Sequence, residues 1–297
     1  MMSALKAHLV AMRPHQWTKN SVVIAAYIFA LGDRHQTLPP NALWITLAIT
    51  ACFCLVSSSI YLVNDVRDIE LDRLHPTKRF RPIAAGSVAI PTALVLSAVL
   101  AAISLGVSWW IQPAACAVLA AYLVKQLGYS LGLKKIAYLD VILIATGFVL
   151  RALAGALALG PGISISHWLL TCTFLLALFL GFSKRRHEKV TLGGLKDNAR
   201  PSLRQVHEKT LDSVILLVAG ATLTAYALYT VAAETVEKFG SRKLAWTIPL
   251  VALGLWRYYH LVYRREEGGR PERVLLTDPA MIGILAAYAG AILLIMR

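Results

Sequence analysis

Long apolar runs separated by short polar stretches set the pattern of this chain. They fall near 17–32, 42–63, 90–111, 113–130, 136–159, 165–183, 211–233, 243–263 and 278–296. At 1.5 Å per residue, about twenty apolar residues cross the ~30 Å hydrocarbon core of a bilayer as a helix, so the pattern predicts about nine membrane helices. The first run is short for a span. Gly, Pro and Trp punctuate the reversals, as in Trp109-Trp110-Ile111-Gln112-Pro113 and Gly160-Pro161-Gly162, where tight turns and interfacial rings belong. The expected fold is all-α: one polytopic helical bundle over 1–297, with no length left for a separate soluble domain.

Composition agrees. The chain is 57% hydrophobic and only 15% charged, against about a quarter charged in soluble domains. Its net charge of +14 would in a polar protein point to nucleic acid. In a chain this apolar it points to loops facing anionic lipid and phosphorylated substrates, with no nucleic-acid partner. Cys52, Cys54, Cys116 and Cys172 all lie inside apolar runs, at spacings of neither a metal site nor a disulfide frame. The N-terminal stretch lacks a small-residue cleavage site after a long apolar region, so a removable signal peptide is not expected.

Charge then orients the runs. Most of the 30 Lys and Arg lie in the N-terminal segment and in the loops after the second, fourth, sixth and eighth runs, while the other side carries only Arg34, Lys238, Arg242, Lys243 and Arg297. The positive-inside rule puts the first set in the cytoplasm. The chemically rich loops then share one compartment, and the active site is expected at the cytoplasmic end.

The richest of these loops is Tyr61 to Gly86. Asp65, Asp68 and Asp72 stand at i, i+3 and i+7, which a continuing helix puts on one face. Asn64 adds an oxygen. Like-charged carboxylates at this spacing repel, and a cation between them removes that cost. Hard oxygen ligands suit Mg2+ holding a substrate phosphate. The basic tail Lys78, Arg79 and Arg81 supplies groups to grip phosphate oxygens. A plain solvated loop with topogenic charges is the competing explanation.

These residues carry a resemblance. Asn64-Asp65-x-x-Asp68-x-x-x-Asp72 followed by His75-Pro76-x-Lys78-Arg79-x-Arg81-Pro82-Ile83-Ala84-x-Gly86 resembles the first motif of the UbiA superfamily of intramembrane prenyltransferases. Tyr129-x-x-x-x-Lys134-x-x-x-x-x-Asp140 resembles the second. The resemblance implies a UbiA-like fold, one or two Mg2+ ions, Asn64, Asp65, Asp68, Asp72 and Asp140 as metal ligands, and Tyr129 and Lys134 on a diphosphate. Lys135 is an equivalent choice to Lys134. Three more segments are similar to the polyprenyl-phosphate phosphoribosyltransferase branch: Arg13-Pro14-x-Gln16-Trp17-x-Lys19-Asn20, the helix Asp140 to Ala156, and Lys184-Arg185-Arg186-His187-Glu188. Lys19, Asn20, Lys184, Arg185 and Arg186 thereby become substrate-binding candidates beside Lys78, Arg79 and Arg81.

That branch implies transfer of 5-phosphoribose from 5-phosphoribosyl 1-diphosphate to a decaprenyl-type polyprenyl phosphate. Diphosphate is released, as an early step toward lipid-linked arabinose donors for cell-wall polysaccharide, in a bacterial inner membrane. A site holding a diphosphate, a 5-phosphate and a lipid phosphate needs more cations than one holding an aromatic acid, and the basic clusters supply them. The alternatives are an aromatic prenyltransferase of the same superfamily, using the same acids, and a transporter of an anionic lipid or metabolite. No internal repeat or Gly/Pro-broken helix pair favours the transporter. Two features stay open in the sequence. Arg151, inside the fifth run, wants an anionic or polar partner, either lipid phosphate or a neighbouring helix. Asp278-Pro279 reads as a helix start, with Asp as cap and Pro at the first position.

Overall fold

The computed structural model describes residues 3–33, 36–163, 165–192, 206–264, 269 and 271–295. Among these, all regular structure is helical. The α-helices are α1 (Ala4–Ala11), α2 (Val22–Leu31), α3 (Ala42–Arg67), α4 (Ile69–Leu74), α5 (Ile90–Ile111), α6 (Pro113–Leu131), α7 (Leu139–Ala158), α8 (His167–Leu192), α9 (Glu208–Val231), α10 (Ala233–Phe239), α11 (Ile248–Arg264), α12 (Pro271–Thr277) and α13 (Pro279–Ile295).

Six of the described helices, α3 and α5 to α9, are long and apolar enough to cross a membrane. The other three expected spans are built differently. Run 17–32 becomes a 3-10 segment, Pro14–Ser21, leading into the ten-residue α2. There the Thr18 and Ser21 hydroxyls bond the carbonyls of His15 and Thr18, offering the backbone a local alternative to the α-helix. Run 243–263 opens with the 3-10 turn Lys243–Thr247 before the 17-residue α11, and α13 has 17 residues as well. Asp278 caps α13, its Oδ1 accepting from the Met281 amide at 2.9 Å, as its sequence position predicts. The segment 193–205, which carries part of the basic loop after α8, lies outside the described residues.

The chain forms two compact units. The first comprises 1–27, 39–131 and 150–163. Its spine is α3 packed along α5. The buried positions of α5 are Ala93, Ser97, Leu100, Ser104 and Ser108, a repeat of three and four residues that forms one stripe. Small hydroxyls let the backbones close in: Ser97 donates to the Ser59 carbonyl at 2.9 Å and Ser104 to the Cys52 carbonyl at 2.7 Å. Among apolar helices in lipid, close packing of small residues and such hydrogen bonds replace the hydrophobic effect as the adhesive. Leu94, Val95, Val99, Ile103 and Val107 of the same helix stay exposed, an apolar face suited to lipid. The second unit comprises 28–38, 132–149 and 164–297. Here α8 packs along α9, and α11 along α13, around a core that includes Phe179, Leu211, Ile215, Tyr258 and Leu261.

Candidate active site

In the first unit the acidic motif sits where α3 ends. The helix does not continue through the three aspartates, as the spacing alone predicts. It stops at Arg67, and Asp68 (φ −92°, ψ 11°) is the hinge between α3 and α4. Aspartate favours such cap positions over helix interiors, and Glu70 and Asp72 then fall in the first turn of α4, where the helix dipole favours negative charge. Arg67 leaves the motif altogether. It donates to the carbonyls of Ser130 and Leu131 at 2.7 and 2.8 Å, satisfying acceptors that the end of α6 leaves without helical partners.

The break still brings two acids together. Asp65 and Asp72 are each 2% exposed, and one Arg81 nitrogen bridges them, 3.1 Å from Asp65 Oδ1 and 2.6 Å from Asp72 Oδ2. Arg13 pairs with the same oxygen of Asp65 and lies 5.0 Å over the Tyr61 ring. Its backbone is left-handed (φ 56°), an uncommon conformation for a side-chain-bearing residue, at the turn from α1 into the 3-10 segment. Arg81 is set by its own loop. The amides of Ser87 and Val88 bond the Pro82 carbonyl, and Gly86 closes that turn at φ 75°, which glycine adopts without penalty. His75 receives the Thr77 and Lys78 amides on Nδ1 at 3.3 and 3.4 Å. Desolvation, with the Lys78 cation adding to it, holds its pKa below the ordinary imidazole value.

The remaining candidates of this unit differ in exposure from that pair. Asn64 and Asp68 are half-buried beside it; Lys78 and Arg79 are exposed, with Arg79 stacked 4.8 Å over Phe80. Lys19 is half-buried in the 3-10 segment, and Tyr129 half-buried near the end of α6. Asn20 is buried and turned inward: its Oδ1 accepts from Arg151 Nε at 2.7 Å. That contact gives Arg151 polar partners on neighbouring segments, Asn20 and Tyr122 among them.

In the second unit the centre is Asp140, 1% exposed in the first turn of α7. Arg185, 3% exposed, sets Nε 2.7 Å from Asp140 Oδ2 as a charge contact without the alignment of a hydrogen bond, and another nitrogen 2.5 Å from Glu188. Gly181, one turn before Arg185, makes this approach possible. A Cβ there would lie 2.6 Å from Val141 Cγ1, so only glycine lets α8 come this close to the residue after Asp140. Just ahead of α7, Tyr138 has φ 62° and the Leu139 amide bonds the Ala137 carbonyl at 2.7 Å. This is a strained three-residue turn of a kind that collects at functional sites. Lys134 is half-buried in the 3-10 turn Leu133–Lys135, Lys135 is exposed, and Lys184 is half-buried beside Arg185.

Arg186 departs from the phosphate-binding expectation. Its guanidinium donates to Asp212 at 2.7 Å and to Glu208 at 3.2 Å, and it lies 3.8 Å over the Tyr263 ring, whose hydroxyl bonds the same Asp212 at 2.5 Å. It ties α8 to α9 and α11. Arg13 and Gly181 are the residues that sequence reasoning passed over. The first reads as an ordinary interfacial cation, and the second has no signal short of knowing which helices touch.

Comparison with known proteins agrees with this architecture. Residues 21–277 match the UbiA prenyltransferase family. The chain is 35% identical over 289 residues to a decaprenyl-phosphate phosphoribosyltransferase of Mycolicibacterium smegmatis, covering 95% of this chain and 90% of that one. It is 34% identical to the protein of the same name in Corynebacterium glutamicum, covering 96% and 85%. Among solved structures, a UbiA homolog from Archaeoglobus fulgidus bound to DMAPP and Mg2+ superposes with a TM-score of 0.72 at 18% identity, covering 97% of this chain and 98% of that one. An all-helical fold shared over nearly the whole length, and a family match that spans both aspartate motifs, lead to one conclusion: this chain is a transferase belonging to the UbiA prenyltransferase family.

Proposed function

We propose that the protein transfers 5-phosphoribose from 5-phosphoribosyl 1-diphosphate to a polyprenyl phosphate of decaprenyl type, with Mg2+, releasing diphosphate. The observation that carries this reading is the near-full-length similarity to phosphoribosyltransferases of that name. The chemistry of the two clusters is what such a reaction needs. Loss of diphosphate leaves an oxocarbenium-like anomeric carbon, and the lipid phosphate oxygen attacks it. That oxygen is already ionised at neutral pH, so the reaction requires no general base.

The donor set fits the metal. Among the described residues no three His, Cys, Asp or Glu side chains gather as a cage, and Mg2+ typically takes one or two carboxylates and completes its shell with water and substrate phosphates. Asp65 and Asp72 are buried acids whose charge already draws two guanidinium groups. With Asn64 and Asp68 they offer only hard oxygens. When bound, Mg2+ would offset the charge that develops on the departing diphosphate. Asp140 is the corresponding acid of the second motif. Arg13 and Arg81 already pair with these acids and in this reading pass to phosphate oxygens, where a charge-assisted hydrogen bond is roughly twice a neutral one. Lys19, Lys78, Arg79, Tyr129, Lys134, Lys184 and Arg185 complete the proposed phosphate-binding set.

In this reading the apolar runs form about nine spans in a bacterial inner membrane, with the acidic motifs at the cytoplasmic end. The product feeds lipid-linked arabinose donors. The test is diphosphate release by purified protein offered either 5-phosphoribosyl 1-diphosphate with polyprenyl phosphate, or a prenyl diphosphate with an aromatic acid. Release with the first pair only, abolished in Asp65→Asn and Asp72→Asn protein that remains folded, is expected. Release with the second pair only assigns aromatic prenyl transfer, and release with neither returns the transporter reading.

A further inference from the structure

Inside the first unit lies a second polar cluster, set apart from the acidic pair. Ser57, one of its members, precedes Asp65 by about 12 Å along α3. Arg151, 6% exposed, donates from Nε to Asn20 Oδ1 at 2.7 Å and from a terminal nitrogen to the Tyr122 hydroxyl at 2.8 Å. Its guanidinium carbon lies 4.7 Å from the centre of the Tyr122 ring, and Lys125 Nζ lies 5.1 Å from that same centre. The Tyr122 hydroxyl is also 3.3 Å from Ser57 Oγ, and Asn20 Nδ2 donates to Cys54 Sγ at 3.2 Å.

The cluster is built rather than accidental. Gly155 stands one turn beyond Arg151, and a Cβ there would fall 2.1 Å from the Val23 carbonyl oxygen. The two helices therefore meet through bare backbone. That contact carries Asn20, just ahead of α2, onto Arg151. Asn20 and Tyr122 are both almost fully buried and fix the guanidinium's direction. Lys125 belongs to α6, a turn and a half inside its end.

Two cations converging on one tyrosine within apolar helices repel each other, and more strongly than they would in water. Ionisable groups inside a membrane bundle mark substrate and ion pathways. A planar guanidinium fork beside a mobile ammonium is a pairing that recognises phosphate oxygens. We propose that Arg151 and Lys125, oriented by Asn20 and Tyr122, form a binding site for a phosphate monoester inside the first unit. The proposal rests on the phosphoribosyl reading. In that reaction two monoesters, the donor 5-phosphate and the lipid phosphate, each need a seat separate from the diphosphate.

Binding without turnover tests it. The probes are farnesyl phosphate, ribose 5-phosphate and farnesol, titrated onto detergent-solubilised wild-type, Lys125→Met and Lys125→Arg protein. Lys125→Met is expected to keep the wild-type melting temperature and to weaken one of the two monoesters at least tenfold, with farnesol unchanged and Lys125→Arg restoring most of the affinity. A loss confined to farnesyl phosphate assigns the acceptor, and a loss confined to ribose 5-phosphate assigns the donor. Unchanged affinity for both monoesters in Lys125→Met overturns the proposal. So does an equal loss in Lys125→Arg, which would make position 125 a matter of packing. Protein that binds a monoester through Lys125 yet transfers no phosphoribose keeps the site and refutes only the reaction assigned to it.

Discussion

At the scale of single residues, adjacent cations on one helix turn do different work. Arg185 neutralises Asp140, both nearly devoid of exposure, while Arg186 is shared among Asp212, Glu208 and Tyr263. Arg185→Ala strands a buried carboxylate, and breaking a buried ion pair by removing one partner costs about 3–5 kcal/mol. We expect kcat/KM to fall at least tenfold. Arg186→Ala should lower the melting temperature and leave KM for both substrates within about threefold. Steady-state kinetics and thermal unfolding of the two variants distinguish the roles, and a tenfold KM change in Arg186→Ala would return it to the substrate site. The sequence made Asp65 and Asp72 visible through their helical spacing, and Asp140 through the second motif. It hid the partners. Arg13 reaches Asp65 only through a left-handed turn, and no periodicity announces one. The break at Asp68 was likewise masked, since i, i+3, i+7 spacing describes a helix whether or not it continues.

At the scale of elements, glycine and serine decide how closely helices approach, and hydropathy is blind to both. The runs that became α3 and α5 to α9 could be read directly because their length matches a span. The stripe Ala93, Ser97, Leu100, Ser104, Ser108 could not, since an apolar helix facing lipid has no polar side to mark its inner face. Gly181 is the sharpest case. Gly181→Leu must push α8 off Val141 and with it separate Arg185 from Asp140. The expected result is folded protein with a lowered melting temperature and at least a tenfold loss of kcat, since overpacking a fitted contact costs about 1–3 kcal/mol. Wild-type turnover in Gly181→Leu would show that this helix contact does not set the site.

At the scale of the whole molecule, the claims reach past any one cluster to orientation and reaction. The loop bearing Arg81 should face the cytoplasm. A cysteine placed at Ser87, an exposed position just past the Gly86 turn, should react with an impermeant reagent in inside-out vesicles and not in intact cells. Labelling in intact cells would reverse the orientation drawn from the asymmetry of basic loops. The fold class was legible from hydropathy alone, and the family from some twenty residues at and just beyond the end of α3. The substrate was not, because aspartates that would hold a metal against diphosphate are indifferent to whether a ribose or a prenyl group leaves. What separates the two chemistries is the group found on the lipid afterwards. The most direct measurement supplies 5-phosphoribosyl 1-diphosphate labelled in the ribose, with polyprenyl phosphate and Mg2+, to purified protein and counts label extracted into the organic phase. The account predicts label in the lipid, one equivalent for each diphosphate released, lost in chelator and in Asp72→Asn. Label that stays in the aqueous phase, while a prenyl diphosphate is consumed with an aromatic acid in its place, would contradict it.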